Sequence, residues 1–311
     1  MSVHPAQSCS AMRDARVWFI TGASRGLGHQ WAAAALRRGD HVAATARDAD
    51  ALAALVEEFG DAVLPIRLDV TDRAACTAAV EQAHRHFGRL DIIVNNAGTG
   101  QYGFVEELTE EEIRAQFETN FFGALWVTQA ALPHLRAQGS GHLLQVSSIG
   151  GVIAVPELGA YHASKWALEG LSQSLAQEVA QFGVRVTIVE PGGFNTSWVG
   201  SAGQAAPHPA YAAAHRAADV ARAQRMDLNG DPAASAAAIL AVVDAPDPPL
   251  RIFLGEAPLH LARAEYESRL ATWEQWQPVA AMAQGSASIS AGPLSSADKL
   301  PTSKTTERRV G

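Results

Sequence analysis

The sequence predicts a doubly wound α/β domain on a parallel sheet of about seven strands, spanning about residues 16–283. Three observations predict it. Short runs rich in Val, Ile and Leu alternate with longer runs of helical period, the order that builds a parallel sheet with crossover helices. Most of the short runs are apolar at every position, as strands are when both faces are covered. A glycine-rich turn, Thr21-Gly22-Ala23-Ser24-Arg25-Gly26-Leu27-Gly28, joins the first short run to the first helical run.

The strands are expected at 17–21 (VWFIT), 41–46 (HVAATA), 62–69 (AVLPIRLD), 90–96 (LDIIVNN), 142–148 (HLLQVSS), 184–190 (VRVTIVE) and 250–255 (LRIFLG). The first helix follows the glycine turn, and Gly39 ends it at a C′ position. Thr109-Glu110-Glu111-Glu112 has the form of a capping box and opens the fourth helix. Asp231-Pro232 puts an N-cap residue before a proline at the first helical position. The stretch 260–276, HLARAEYESRLATWEQW, carries a helical period. Leu261, Ala264, Leu270, Trp273 and Trp276 are its candidate buried anchors. Covering a pocket, docking on the core and touching a partner subunit are readings the sequence leaves open for it.

Residues 1–15 lack an apolar period and read as a loose arm, with Met1 and Met12 as alternative starts. Residues 284–311, rich in Ser, Thr, Gly, Pro and Ala, read as a disordered tail. No solenoid repeat and no core-splitting linker is present, so one domain is expected.

Composition excludes several classes. Hydrophobic residues make up 48% of the 311 and charged residues 18%, which rules out global disorder. The net charge of −8 argues against a nucleic-acid partner. Cys9 and Cys76 cannot form a disulfide framework, and a reducing cytoplasm fits that usage. No stretch approaches the ~20 apolar residues of a membrane span, and no secretory signal pattern is evident. His84 and His86 stand two apart on a helix and face different ways, so no metal is expected. Cys76 reads as a small packing residue.

The glycine turn carries the first chemical signal. Glycine there lets the backbone approach a pyrophosphate, and the following helix offers free N–H groups at its positive end. The spacing is GxxxGxG, and a purely structural βα turn is the alternative. The second strand ends Ala44-Thr45-Ala46-Arg47, without the acid that would hold a ribose 2′-hydroxyl. Arg47 together with Arg25 suits a 2′-phosphate, so NADP(H) is expected over NAD(H). Two solvated arginines are the alternative.

Tyr161 and Lys165 stand four apart in a helical run and share a face. An ammonium beside a phenol lowers a pKa that starts near 10, giving an acid/base tyrosine. Ser148 closes the fifth strand at the carboxyl edge, where such sheets bind ligands. Taken alone, Tyr-xxx-Lys reads as a surface pair, because helices carry many such pairs by chance.

TGASRGLG (21–28), LDV (68–70), NNAG (95–98), Asn120, Ser148, YHASK (161–165) and PGGFNT (191–196) occur in that order. In this set the chain resembles the short-chain dehydrogenase/reductase family, in its shorter, non-extended branch, over residues 16–256. The resemblance implies a Rossmann fold, with Gly22, Ser24, Arg25, Gly26, Leu27 and Gly28 holding the dinucleotide. It implies Asp69 and Val70 beside the adenine, and Asn96, Ala97 and Gly98 along the cofactor channel. Pro191, Gly192 and Thr196 would seat the nicotinamide carboxamide. Tyr161 would be the acid/base, and Lys165 would hold the ribose hydroxyls and lower the tyrosine pKa. Ser148 would bond the substrate oxygen, the thirteen-residue spacing to Tyr161 favouring it over Ser147. Asn120 would anchor a proton-relaying water.

The resemblance also places a substrate lid near 197–230 and pocket walls at Tyr102, Phe104, Val152, Leu158, Phe194 and Trp198. Such walls suit a lipophilic or aromatic carbonyl, although each of these residues would serve equally as core. NAGTGQYGFVEE and YHASKWALEG resemble the hydroxysteroid and retinol dehydrogenase side of the family. A homodimer or homotetramer is implied through long helices at 110–138 and 160–182, with Phe121, Phe122, Trp126 and Trp166 in the seam or in the core. The expected function is an NADP(H)-dependent oxidoreductase that moves hydride between nicotinamide and a carbonyl or secondary alcohol. The alternatives are an NADP(H)-sensing or scaffold protein, and a dehydration or epimerisation on the same fold.

Overall fold

A computed structural model describes residues 15–226 and 229–285. The expected arm, Met1, Cys9 and Met12 lie outside the described residues, as does nearly all of the expected tail. The chain forms two compact units, Met1–Arg263 and Ala264–Gly311. The α/β fold is a single domain, contained in the first.

The strands are β1 (Val17–Ile20), β2 (His41–Ala46), β3 (Val63–Arg67), β4 (Ile92–Asn95), β5 (Gln101–Tyr102), β6 (Gly141–Val146), β7 (Val184–Pro191), β8 (Gly203–Gln204) and β9 (Arg251–Leu254). The helices are α1 (Gly26–Arg37), α2 (Ala53–Phe59), α3 (Arg73–Phe87), α4 (Glu110–Phe117), α5 (Gly123–Gln138), α6 (Gly159–Val179), α7 (Trp198–Ser201), α8 (Ala212–Met226), α9 (Ser235–Asp244) and α10 (Ala257–Met282). The main sheet has seven strands in the order β3-β2-β1-β4-β6-β7-β9, paired parallel throughout.

The strand side chains explain the two-sided burial. On β1, Trp18 and Ile20 enter a cluster with Trp31 and Leu36 of α1 and Ile239 and Val242 of α9. Val17 and Phe19 point the other way, to Ala79 and Val80 of α3 and Val127 and Leu135 of α5. Alternate residues of one strand therefore serve two cores, which is why the run is apolar at every position. The buried indoles are satisfied: Trp18 Nε1 donates to Asp40 at 2.8 Å and Trp31 Nε1 to Ser235 at 2.8 Å. Truncating either ring would cost about 3–5 kcal/mol.

Connections leave β1 toward β2 and leave β4 toward β6, in opposite directions along the sheet. The carboxyl ends of β1 and β4 therefore diverge, and a crevice opens there.

The helix signals resolve in detail. Gly39 follows α1 at φ +90°, and its N–H donates to the Leu36 carbonyl. The capping box of Thr109 and Glu112 is present in full. The expected helix start at Asp231-Pro232 is corrected. Asp231 caps a turn through Ala233 N–H at 2.9 Å, and α9 begins only at Ser235. The long helix at 110–138 is two α segments joined by a π turn at Glu118–Phe122. A small parallel pair, β5 with β8, has no counterpart in the strand pattern.

α10 begins in the first unit, and the second unit's described residues are the rest of this helix and the turn after it. The expected anchors are corrected here: Leu261, Leu270, Trp273 and Trp276 are 45%, 50%, 59% and 59% exposed, and Ala264 is exposed. The reason is geometric. Apolar residues repeated every third position drift about 60° per step around a helix and make no stripe. Among the described residues no helix is long and apolar enough to cross a membrane.

Candidate active site

The crevice is lined first by the turn after β1. Gly22 and Gly26 sit at φ +67° and +59°, which L side chains rarely adopt. A Cβ on Gly28 would lie 2.6 Å from the Gly22 carbonyl oxygen and 2.4 Å from Asn96 Nδ2, so no side chain fits there. Ala23 N–H donates to Thr45 O at 2.9 Å and ties the turn to β2. Arg25 occupies the N-cap of α1, and its side chain makes no cap bond. The first N–H groups of α1 thus receive no side-chain cap from it, and they suit a bound anion.

Thr21 links this turn to the end of β4. Its Oγ1 accepts from the backbone N–H groups of Asn96 and Ala97, both at 2.9 Å. Asn96 Nδ2 returns bonds to Thr21 O and Gly22 O at 2.9 and 3.1 Å. Arg25 and Arg47 are exposed, one in the turn and one directly after β2. Arg67, which the sequence reading passed over, donates to Arg47 O at 3.3 Å and adds a cation beside it. Asp69 accepts from Thr71 through both N–H and hydroxyl, at 3.0 and 2.8 Å. Val70 is buried, and a Cβ on Gly123 would lie 2.6 Å from its Cγ2. Thr196 stands over the turn, its Cγ2 3.6 Å from where a Gly26 Cβ would be. Gly192 is packed close to Pro258, and Pro191 ends β7.

The side chains expected to be reactive lie across the crevice. Asn120 is buried in the π turn, which displaces it from the regular helical position. Its Oδ1 accepts from Thr99 N–H at 2.8 Å, while Nδ2 donates to Thr99 O at 3.0 Å and Ser164 Oγ at 3.2 Å. It thereby clamps the strand-end loop to α6. Lys165 Nζ donates to Val146 O at 2.8 Å and lies 5.9 Å from the centre of the Tyr161 ring. A Cβ on Gly98 would sit 3.4 Å from Asn120 Oδ1 and 3.6 Å from Lys165 Nζ, so Gly98 keeps that space open.

Ser148 and Ser147 separate clearly. The Ser148 hydroxyl accepts from Gly150 N–H at 3.0 Å and acts on the Tyr161 phenol, pulling its pKa down. Ser147 is buried on the other side, against Gly151 and Glu169.

The expected lowering of the phenol pKa is not what the structure gives. Burial pushes Tyr161 up to about 12, against a downward pull from the Ser148 hydroxyl, and nearby Tyr102 pushes it further up. Burial also pushes Lys165 down to about 8, with Glu169 opposing. The phenol is fully protonated at neutral pH, and the two groups are desolvated together.

His162, which the sequence reading did not single out, fixes the loop after Ser148. Its Nδ1 lies 2.8 Å from Gly150 O, and its Nε2 accepts from Val155 N–H at 3.0 Å. That pattern requires a neutral ring, and burial lowers its pKa accordingly.

The expected pocket residues divide. Trp198 stands edge-on to Tyr161, with ring centres 5.2 Å apart, and Tyr102 is 6.4 Å from Trp198. Gly100 admits this tryptophan, since a Cβ there would lie 2.5 Å from its Cζ2. Leu158 bridges to Gly103, and Val152 is buried close to the Ser148 loop. Phe104 is stacked on Tyr211 at 4.9 Å, and Phe194 packs against the core cluster of α1 and α9. The segment expected to form a lid contains α7, β8 and α8.

Residues 16–207 match the family described as short chain dehydrogenase. Oxidoreductase BOA17 of Botryotinia fuckeliana is 43% identical over 265 residues, 84% of this chain and 97% of that protein. A short-chain dehydrogenase from Streptomyces avermitilis superposes with a TM-score of 0.82 at 40% identity, covering 87% of this chain and 98% of that one. An alcohol dehydrogenase from Thermococcus sibiricus, complexed with 5-hydroxy-NADP, superposes with a TM-score of 0.67 at 28% identity. It covers 79% of this chain and 98% of that one.

Proposed function

The chain belongs to the short-chain dehydrogenase family and is an oxidoreductase, and from that premise we propose that it uses NADP(H) to interconvert a ketone or aldehyde and its alcohol, with Tyr161 as general acid/base. The observation that carries the reading is the buried Tyr161 ring with Lys165 Nζ 5.9 Å from its centre, that ammonium bordering the space above Gly98, and the Ser148 hydroxyl near enough to the phenol to pull its pKa down.

The crevice fits a dinucleotide. Gly22, Gly26 and Gly28 leave a cradle that a Cβ would fill or strain, and α1 presents its N-terminus to it. Arg25 and Arg47 supply cations for a 2′-phosphate, with Arg67 bonded to the Arg47 carbonyl. A nicotinamide dinucleotide bound there supplies or accepts the hydride.

This chain's residues do the rest. Ser148 and Tyr161 donate hydrogen bonds to a substrate oxygen as negative charge grows on it. Tyr161 then gives its proton to that oxygen, and takes it back in the oxidative direction. The raised phenol pKa keeps the proton in place at rest. Lys165, anchored on Val146 O, places a positive charge close to the resulting phenolate. Asn120 holds the Thr99 peptide that borders this charge.

Trp198 and Tyr102 give the substrate side an aromatic wall, which favours a lipophilic or aromatic carbonyl. The groove formed by Ile113 and Phe117 of α4 and Phe122 of the π turn after it supports association through this face. The test is Tyr161→Phe, assayed by NADPH oxidation over aliphatic, aromatic, steroid and quinone carbonyls. Turnover should be abolished while NADPH still binds. Undiminished turnover would exclude Tyr161 as the proton donor.

A further inference from the structure

The aromatic wall is carried by segments outside the main sheet: 101–109, 152–158 and 198–226. A charged cluster joins them. His215 of α8 lies between two carboxylates, its Nε2 2.7 Å from Glu107 and its Nδ1 2.7 Å from Glu157. The Glu107 and Glu157 side chains are 0% and 4% exposed, and His215 is 16% exposed. An ionised carboxylate only accepts, so both ring nitrogens must donate, and the ring is an imidazolium.

The remaining bonds of the cluster reach every wall segment. Glu107 also accepts from Phe104 N–H and His208 N–H, both at 2.8 Å. Glu157 lies 3.4 Å from Arg222, which also pairs with Asp219 and stacks over Tyr102 at 4.7 Å. Phe104 meets the His215 ring edge-on at 4.8 Å. Glu157 is held at φ +68°, the one non-glycine residue so placed among the described residues. Such a conformation persists only where its surroundings enforce it. The Glu157 carbonyl does part of that work, accepting from Gly103 N–H at 2.9 Å.

We propose that His215 is a positioning residue for the substrate wall, latching α8 to the turn that carries Phe104 and to the segment that leads into the catalytic helix. The inference rests on the reading of Tyr161 as the reactive centre only for its kinetic consequence; the latch itself is a property of the fold.

The other charged or titratable groups facing the latch are Glu106 with Tyr211, His208, Asp219, Arg222 and Tyr102. The hydrogen bonds to Glu107 and Glu157 raise the His215 pKa above its ordinary value. The sign follows. The latch is complete below the ordinary histidine value and is lost as pH rises through the raised one. It opens on the alkaline side.

The test uses the full chain. Hydrogen exchange of 198–226, corrected for intrinsic rate, is followed from pH 6 to 9.5 in wild type, His215→Ala, His215→Lys and Glu107→Gln. Wild type should lose protection by about tenfold toward the alkaline end. His215→Lys should stay protected, because its cation persists. His215→Ala should be unprotected throughout. Glu107→Gln leaves a single carboxylate on His215 and should lose protection at lower pH than wild type. In steady-state assays at pH 7, His215→Ala should raise the carbonyl KM about tenfold with kcat changed less than about twofold. Protection independent of pH in wild type, or retained in His215→Ala, would overturn the latch. If no carbonyl is turned over, the exchange results still decide it, and the failure belongs to the proposed reaction alone.

Discussion

Replacing Thr21 by Val keeps the shape of the side chain and removes one oxygen. That oxygen accepts from Asn96 N–H and Ala97 N–H at 2.9 Å each, in a residue only 1% exposed. Asn96 N–H has a second acceptor in Val94 O at 3.0 Å, so its loss is partial. Ala97 N–H is bonded through the threonine and is half-buried. An unmade bond of that kind costs about 1–3 kcal/mol, and weakening a shared one roughly 0.5–1 kcal/mol. The valine variant should therefore be destabilised by about 2–3 kcal/mol. Thr21→Ser keeps the oxygen and loses one methyl, which should cost about 1 kcal/mol. Urea unfolding monitored by tryptophan fluorescence separates the two, provided the slope m is unchanged. The same bonds hold Asn96–Gly98 against the glycine turn, so NADPH affinity should fall about tenfold in the valine variant and stay near wild type in the serine variant. A valine variant as stable as the serine variant would refute the reasoning, because the two backbone donors would then have lost their acceptor without consequence.

Other expectations follow from single contacts. Gly100→Ala puts a Cβ 2.5 Å from Trp198 Cζ2 and must displace that ring from Tyr161. The carbonyl KM should change about tenfold with NADPH affinity unaltered, and an unchanged KM would remove Trp198 from the substrate wall. Arg25→Ala with Arg47→Ala should weaken NADPH binding about 10–100-fold and leave NADH binding within about twofold, read by fluorescence titration. Equal losses for both cofactors would show that the arginines do not read the 2′-phosphate. Glu190 is pushed up to about 8, first by burial and then by the neighbouring Glu169, against the pull of Arg251 3.4 Å away. A raised carboxyl pKa means stability present at acid pH and lost as pH climbs from the ordinary carboxyl range through about 8. Glu190→Gln should flatten that decline in a series of melting temperatures from pH 5 to 9. A variant with the wild-type slope would exclude the pair as its source.

The sequence by itself determined the seven main strands, the glycine turn, the Thr109 capping box and the alignment of Tyr161 with Lys165. Each is local. It depends on residues a few positions apart, whose period or spacing the chain displays directly. The order of the motifs added the family, because a set spread over 16–256 is far more specific than any one of them. Tertiary structure decided what happens where distant segments meet. Ser147, next to Ser148 in the chain, is buried against Gly151 and Glu169, and the phenol pKa rises because burial outweighs the pull of the Ser148 hydroxyl. The π turn that sets Asn120 has no periodic signature, and Phe194 goes to the core although its motif neighbour Thr196 faces the glycine turn. His215 meets Glu107 across 108 residues and Glu157 across 58. No pattern along the chain encodes such a meeting, because the energy of a buried charge is fixed by what folding brings within hydrogen-bond reach of it.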